Sequence, residues 1–292
     1  MSCWPSSVTR SPSSSSAPDG VVLIDKPPGL SSRRAAADAA GRLGAAKFGH
    51  AGTLDPFATG LLVVLLGRAC RTQDWFTTLP KAYDATARFG AVSTTGDPEG
   101  EISETGSGIP EPLVLPTGTI RQRPPAYSAV HVDGRRAYQR ARAGEEFEIP
   151  EREVEVYEFR ETGRSDKDVE LNIRCSSGTY VRSLVSDLGD AYTERLCRTA
   201  VGPFELEEAD PQRVIPIGSA LRFLPTLQLS GEEAIRAGHG RPVEAGGRVE
   251  PPKWPEAPEG AGAVLLLEGS DAVAIAARGE GEALKPVVGF RG

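Results

Sequence analysis

The sequence predicts a mixed α/β domain followed by a small β-rich module, and three observations carry that expectation. Two apolar runs of strand length, 21–24 and 61–66, flank an alanine-rich stretch of helical composition. Further on, Val169, Leu171, Ile173 and Cys175 alternate with Asp168, Glu170, Asn172 and Arg174, the two-residue period of a half-buried strand. From about Pro225 glycine and proline become dense, with short strands expected at 263–267 and 272–276. A chain of 292 residues has room for one large domain and one small one.

Element by element, residues 1–19 are rich in serine and proline and read as a disordered tail. They lack the basic segment and apolar core of a secretory signal. The strand at 21–24 ends in the turn residues Asp25, Lys26, Pro27, Pro28 and Gly29. Ser31 or Ser32 then caps an alanine-rich helix that stops near Gly44. Residues 47–56 form a loop with two glycines and a proline, feeding the strand at 61–66; a loop held on a buried scaffold is a common seat of chemistry. A strand runs from Tyr83 to Phe89 and closes in a turn at 94–100. A Val-Asp-Gly turn leads into a short basic helix at 135–143. Val154, Val156 and Phe159 face one way only approximately, ahead of the clean alternation at 169–175. Ser176, Ser177 and Gly178 turn the chain into a helix with apolar positions Val181, Leu184, Val185 and Leu188. The expected domains are 20–224 and 225–292, with no internal repeat.

Composition excludes several classes. No apolar run approaches the roughly 20 residues that span a bilayer. Four cysteines without a CxxC pair and three scattered histidines leave no zinc spacing, and a reducing, cytoplasmic setting fits best. The net charge of −7 argues against indiscriminate nucleic-acid binding. Its distribution is more informative. Six arginines (121, 123, 135, 136, 140 and 142) face a single acid, Asp133, between 121 and 142, whereas 144–170 holds eleven acids and four bases. Such a stripe suits either local phosphate binding or a solvated helix face.

Residues 49–62 (GHAGTLDPFATGLL) closely resemble the signature of the TruB family of pseudouridine synthases. Residues 20–32 (GVVLIDKPPGLSS) are similar to its first motif, Lys81-Ala82-Tyr83 to its K-x-Y element, and 121–129 (RQRPPAYSA) to its RNA-clasping insertion, here about 121–150. Residues 175–182 (CSSGTYVR) resemble the stretch that carries a further Tyr and Arg of the active site. The resemblance runs in order from about 20 to 204. It implies an α+β mixed-sheet pseudouridine synthase domain, a C-terminal PUA-like RNA-binding module and, as substrate, the uridine at position 55 of the tRNA T loop. The PUA-like match rests on 229–243 and on 281–286 (GEALKP). One stretch departs from the family. The link 189–196, usually longer and ending in Leu-Arg-Arg, is short, and Cys197 stands where a basic residue is usual, which puts the adjoining pocket wall in question.

The chemistry fits these residue types. Pseudouridylation breaks the N1–C1′ bond, turns the base and rejoins it through C5, so neither metal nor organic cofactor is required. One carboxylate suffices, attacking or stabilising C1′ or else removing a sugar proton. Asp55 is the candidate; the competing reading is a helix N-cap with Pro56 at the first helical position. Arg182 falls in the first turn of its helix, where the macrodipole disfavours a cation, and a guanidinium beside Asp55 would keep the carboxylate ionised; alternatively it reaches along the helix to Asp187. Tyr83 is assigned to base stacking with its hydroxyl available for proton transfer, against the commoner fate of a half-buried strand aromatic. Tyr180 would hydrogen-bond within the Asp55–Arg182 cluster or pack in the core. His50 resembles the family histidine that inserts near the flipped nucleotide, or else is an ordinary loop histidine. Lys26 supports the catalytic loop or contacts phosphate, against the reading of a solvated turn lysine. Arg121, Tyr127, Arg135, Arg136 and Arg140 are the expected RNA contacts, offsetting the few kcal/mol that base flipping costs. The partner is the tRNA T arm, with no membrane and no protein partner expected.

Three rivals stand beside this reading. A tRNA-folding protein without chemistry would share the basic stripe and the C-terminal module but has no use for Asp55, Tyr83 and Arg182 together. A ribosomal-RNA isomerase fits the T-loop motifs less well, and a glycoside hydrolase lacks an evident partner acid.

Overall fold

The protein is described by a computed structural model covering residues 18–128, 130–132, 134–254, 262–279 and 281–291. The tail expected at 1–19 lies outside the described residues up to 17. Its last residue, Asp19, is fixed by Arg68, whose backbone N–H and Nε donate to the two carboxylate oxygens at 2.6 Å each.

Strand β1 (Gly20–Lys26) leads into helix α1 (Ser32–Arg42), the short strand β2 (Phe48–Ala51) and strand β3 (Thr59–Leu66). β3 is apolar without interruption because both of its faces are buried. Leu61, Val63 and Leu65 pack with Val21 and Leu23, while Leu62, Val64 and Leu66 lie under Ala35, Ala36, Ala39 and Ala40 of α1. Ser31 is the cap of α1, accepting from the Arg34 N–H at 3.3 Å, and Gly44 adopts φ +72° just past the helix end.

Helix α2 (Gln73–Thr77) precedes β4 (Lys81–Phe89); β5 (Ala91–Ser93) and β6 (Ile102–Glu104) form a ribbon around the turn at 94–100. β7 (Gly118–Gln122) opens the insertion, in which β8 (His131–Val132) pairs with β9 (Arg135–Arg136) ahead of α3 (Ala137–Arg142). The basic helix is thus shorter than expected at its start. His131 pairs with Arg136, and the Ala137 N–H donates to the Val130 carbonyl, which draws both arginines into the ribbon. Ala129 and Asp133, parts of the expected insertion motif and turn, lie outside the described residues.

β10 (Arg152–Arg164), β11 (Asp168–Cys175), helix α4 (Val181–Ser186), β12 (Ala191–Val201) and β13 (Phe204–Glu205) complete the domain. The nine-stranded sheet has the order β1-β3-β12-β4-β11-β10-β7, with β2 on β3 and β13 on β12. Only β3 and β12 run parallel, so the sheet is mixed. A bulge between Val156 and Glu158 explains the imperfect period of β10, because it lets Val156 and Phe159 both face the core. β11 pairs with β4 without a bulge and buries Val169, Leu171, Ile173 and Cys175.

After α5 (Ile217–Ala220), the strands β14 (Thr226–Gln228), β15 (Val243–Glu244), β16 (Ala263–Glu268), β17 (Asp271–Arg278) and β18 (Ala283–Gly289) form a second sheet, ordered β14-β16-β17-β18-β15, with α6 (Glu232–Gly238) packed on it. One face of this sheet joins the first domain: Leu265, Ile275 and Phe290 share a core with Val21, Phe76 and Phe204. Arg68 and Arg71 donate to the carbonyls of Phe290 and Gly289 across the same seam.

Candidate active site

Residues 52–58 connect β2 to β3 and carry Asp55. No helix begins at Pro56, so Asp55 is not an N-cap. The loop is held by its backbone on both sides of that residue. The Ser32 hydroxyl accepts from the Leu54 N–H at 2.8 Å and donates to the Leu54 carbonyl at 2.9 Å. The Pro56 carbonyl accepts from the Gly29 N–H at 2.8 Å and from Lys26 Nζ at 3.2 Å. Lys26 is fully buried rather than a solvated turn lysine, and it also donates to the carbonyls of Pro27 and Leu30. Burial lowers its pKa to about 8 despite the attraction of Asp55. Arg198, on β12 where it meets β3, donates from Nε to Leu61 O at 2.8 Å and from a terminal nitrogen to Gly52 O at 3.1 Å. Ser32, Lys26 and Arg198 therefore fix the aim of a carboxylate on an otherwise irregular loop.

Asp55 accepts two hydrogen bonds from Arg182, Nε to Oδ2 at 2.9 Å and a terminal nitrogen to Oδ1 at 3.1 Å. This is the bidentate geometry that favours Arg over Lys. The other guanidinium N–H groups are equally committed, to the Thr95 carbonyl at 2.6 Å, the Tyr127 carbonyl at 2.8 Å and Asp97 at 3.2 Å. Asp187 is not its partner among the described residues. Although 29% of the Asp55 side chain is open, burial is the largest influence on it and raises its pKa. Arg182 opposes that rise and Asp97 adds to it. The guanidinium thus aims the carboxylate without making it more acidic than an ordinary aspartate.

Asp55, Tyr83, Tyr180 and Arg182 line one cleft of about 300 Å³, together with Lys81 and Arg198. Tyr83 is only 9% exposed; burial pushes its hydroxyl up to about 12, and a hydrogen bond from Arg198 opposes this. The phenol is therefore protonated at neutral pH, able to donate a hydrogen bond but a reluctant proton acceptor. Lys81 Nζ donates to the Thr77 and Leu79 carbonyls at 2.5 Å, and burial lowers its pKa to about 7. Tyr180 makes no hydrogen bond to Asp55 or Arg182. Its backbone is clamped by Gln122, which accepts from its N–H at 2.8 Å and donates to its carbonyl at 3.0 Å, while its ring lies under Arg152.

The remaining expected residues lie away from the carboxylate. His50 sits on β2 outside the cleft lining, its Nδ1 buried without a partner. Burial and then the arginines 198, 33 and 136 lower its pKa. Tyr127 borders a neighbouring cleft and reaches the site only through its carbonyl. Arg121, Arg135, Arg136 and Arg140 lie on the insertion and line neither cleft. Acids already engage most of them: Arg135 and Arg140 share Glu145 at 2.7 and 3.0 Å, and Arg121 meets Glu151 at 3.6 Å.

Sequence reasoning overlooked Ser32 as a loop clamp, along with Asp97, Gln122 and Arg198. Asp97 looks like any turn acid. Arg198 had a signal, since it follows Leu196 by two positions. The segment 189–196, read as a shortened link, is largely strand: β12 starts at Ala191 and pairs with β4. The pocket wall there is built by Leu196 and Arg198, while Cys197 points elsewhere, opposite Thr59.

Comparison with known proteins bears on this geometry. The family model described as TruB family pseudouridylate synthase (N terminal domain) matches residues 41–181. The chain is 42% identical over 261 residues to tRNA pseudouridine synthase B of Thermobifida fusca, covering 80% of this chain and 89% of that protein. It is 41% identical over 249 residues to the enzyme of the same name from Dinoroseobacter shibae, covering 76% and 82%. Among solved structures, an H/ACA RNP bound to a substrate RNA containing 2′-deoxyuridine aligns with a TM-score of 0.66 at 21% identity, covering 94% of this chain and 85% of that one. The archaeal box H/ACA sRNP Nop10–Cbf5 complex aligns with a TM-score of 0.65 at 22% identity, covering 93% and 86%. At such identities these two likenesses speak to the fold.

Proposed function

Since the chain belongs to the TruB family of pseudouridylate synthases, we propose that it isomerises uridine to pseudouridine at position 55 of the tRNA T loop, with Asp55 as the catalytic carboxylate. The observation that carries this reading is the bidentate Asp55–Arg182 pair on a loop clamped at Gly52, Leu54 and Pro56, opening on a cleft that Tyr83 also lines.

The uridine must leave its stack to reach Asp55. In the cleft, Asp55 engages C1′ as the N1–C1′ bond breaks, either by attack or by stabilising the electron-poor carbon; removal of a sugar proton is the other route a single carboxylate allows. The freed base turns and C5 bonds to C1′, after which the C5 proton is lost and N1 is protonated. The reaction is redox-neutral, and this chain's groups suffice for it. Tyr83 supplies a face for the base and a protonated hydroxyl. The insertion arginines, and a PUA-like role for the second sheet, supply backbone contacts that offset the cost of flipping. A reducing, cytoplasmic setting, expected from the cysteine spacing, is part of the same reading. Mass-spectrometric mapping of unmodified tRNA after incubation with the protein tests the reading. Pseudouridine at T-loop position 55 is expected, and its formation elsewhere or nowhere would overturn the assignment.

A further inference from the structure

The cleft contains four basic side chains, and three of them already serve two or more protein acceptors each. Arg182 serves two carboxylates and two carbonyls, Arg198 two carbonyls and a phenol, and Lys81 two carbonyls. Arg152 is different. It opens β10 opposite Gln122 and lines the same cleft. One terminal nitrogen donates to the Gly178 carbonyl, its Nε is buried with no hydrogen-bond partner, and among the described residues no carboxylate pairs with it. The neighbouring Glu151 is turned to Arg121 and Arg123, and Glu155 to Thr119.

This guanidinium is nonetheless held in place. Its carbon lies 5.1 Å from the Tyr180 ring centroid, a cation–π distance, and the backbone of Tyr180 is clamped by Gln122. On its other side Gly178 adopts φ +86°, and a Cβ there would sit 3.5 Å from the guanidinium carbon, so the turn closes directly against it. A preorganised cation with unspent donors in a cleft that receives a nucleotide suits an anion with paired oxygens.

We propose that Arg152 is the phosphate-binding residue of the cleft, its unengaged terminal N–H groups taking the phosphodiester oxygens beside the nucleotide whose base enters next to Asp55. The proposal rests on the reading of the cleft as a tRNA-modifying site. It also gives Tyr180 a task, because the ring that supports Arg152 lies two residues before Arg182 and couples phosphate capture to the catalytic pair.

The test pairs a change in the protein with one in the RNA. T-arm RNA with a natural backbone, or with one uncharged methylphosphonate flanking the target uridine on either side, is titrated across salt concentrations with wild type, Arg152→Gln and Arg152→Lys. The rate of pseudouridine formation is measured for all three proteins in parallel. On natural RNA, Arg152→Gln is expected to weaken binding on the order of tenfold and to lower the log–log salt slope by about one, while Arg152→Lys keeps the slope. One of the two methylphosphonates is expected to cost the wild type as much as Arg152→Gln does, and to cost Arg152→Gln nothing further. That coupling also reads out on the RNA side, in wild-type protein, should the Gln variant fold poorly. Additive losses, or an unchanged slope in Arg152→Gln, would overturn the proposal; a slower reaction at unchanged slope would instead assign Arg152 to the base. Coupled losses without pseudouridine in the wild type would leave the phosphate site standing and remove the isomerase reading.

Discussion

At Asp55 two influences oppose one another: burial and the charge of Asp97 raise its pKa, and the Arg182 guanidinium draws it down, with burial the larger. The consequence for pH has a definite sign. In the proposed mechanism the working form is the carboxylate, so the single-turnover rate falls as pH drops through a raised pKa, and the acid limb is expected above the ordinary aspartate value of about 3.9. Asp97→Asn removes a like charge and should move that limb to lower pH. A limb at or below the ordinary value in the wild type would contradict this electrostatic picture. Because the folded-state pKa is raised, Asp55 favours folding at low pH and loses that contribution as pH rises through the raised value. Neutralising it at pH 7 therefore should not destabilise the protein. Asp55, Tyr83 and Arg182 were legible as site candidates because each sits in a local pattern. Ser32 and Gln122 were not, because they act on backbone atoms contributed by distant segments, a relation that exists only after folding. Arg198 showed only as the last residue of the Leu-Cys-Arg stretch, without the contacts that give it a task.

At the scale of elements, the parallel contact of β3 with β12 leaves no room for a side chain at Gly60. A Cβ there would lie 2.4 Å from the Arg198 carbonyl oxygen and 2.6 Å from its nitrogen, at φ +98°. Gly60→Ala is expected to cost about 2 kcal/mol or more, roughly 4–8 °C in thermal midpoint, and to slow turnover by displacing Arg198 from the loop. Gly44, at φ +72° with nothing within 4 Å, is the control: Gly44→Ala should cost about 1 kcal/mol and leave turnover alone. Equal losses at both positions would mean that the strand contact is not what Gly60 serves. On the insertion, Glu145 engages both Arg135 and Arg140. The Arg135 end of this network is exposed, and such a pair holds weakly and yields to phosphate; the Arg140 end is half-buried. Replacing Arg135, Arg136 and Arg140 with Ala should therefore flatten the salt dependence of tRNA binding by about one unit per true phosphate contact, whereas Glu145→Gln should tighten binding. An unchanged slope would place this stripe in solvent. Period and turn chemistry made β3, β11 and α1 readable almost to their ends. The bulge in β10 and the β8–β9 ribbon were harder, since both depend on pairing between strands rather than on local pattern.

For the molecule as a whole, the density of glycine and proline after 225 marked a change of architecture but not what the second sheet packs against. Leu265, Ile275 and Phe290 complete the core begun by Val21, Phe76 and Phe204. Removal of the chain from 225 onward would expose that apolar face. One cooperative thermal transition is expected for the full chain, and a lowered midpoint with aggregation for the truncated one; two resolved transitions would show the sheets to be energetically separate. The central claim is that catalysis depends on one carboxylate while folding and RNA binding depend on the rest of the structure. It is tested most directly with Asp55→Asn, by measuring thermal midpoint, tRNA affinity and single-turnover pseudouridine formation on one preparation. The variant keeps the size of the side chain and one oxygen to accept from Arg182, but it loses the charge and the nucleophilic oxygen. The expected result is a midpoint and an affinity close to wild type with turnover reduced by several orders of magnitude; a folded, tRNA-binding variant with near-normal turnover would contradict it.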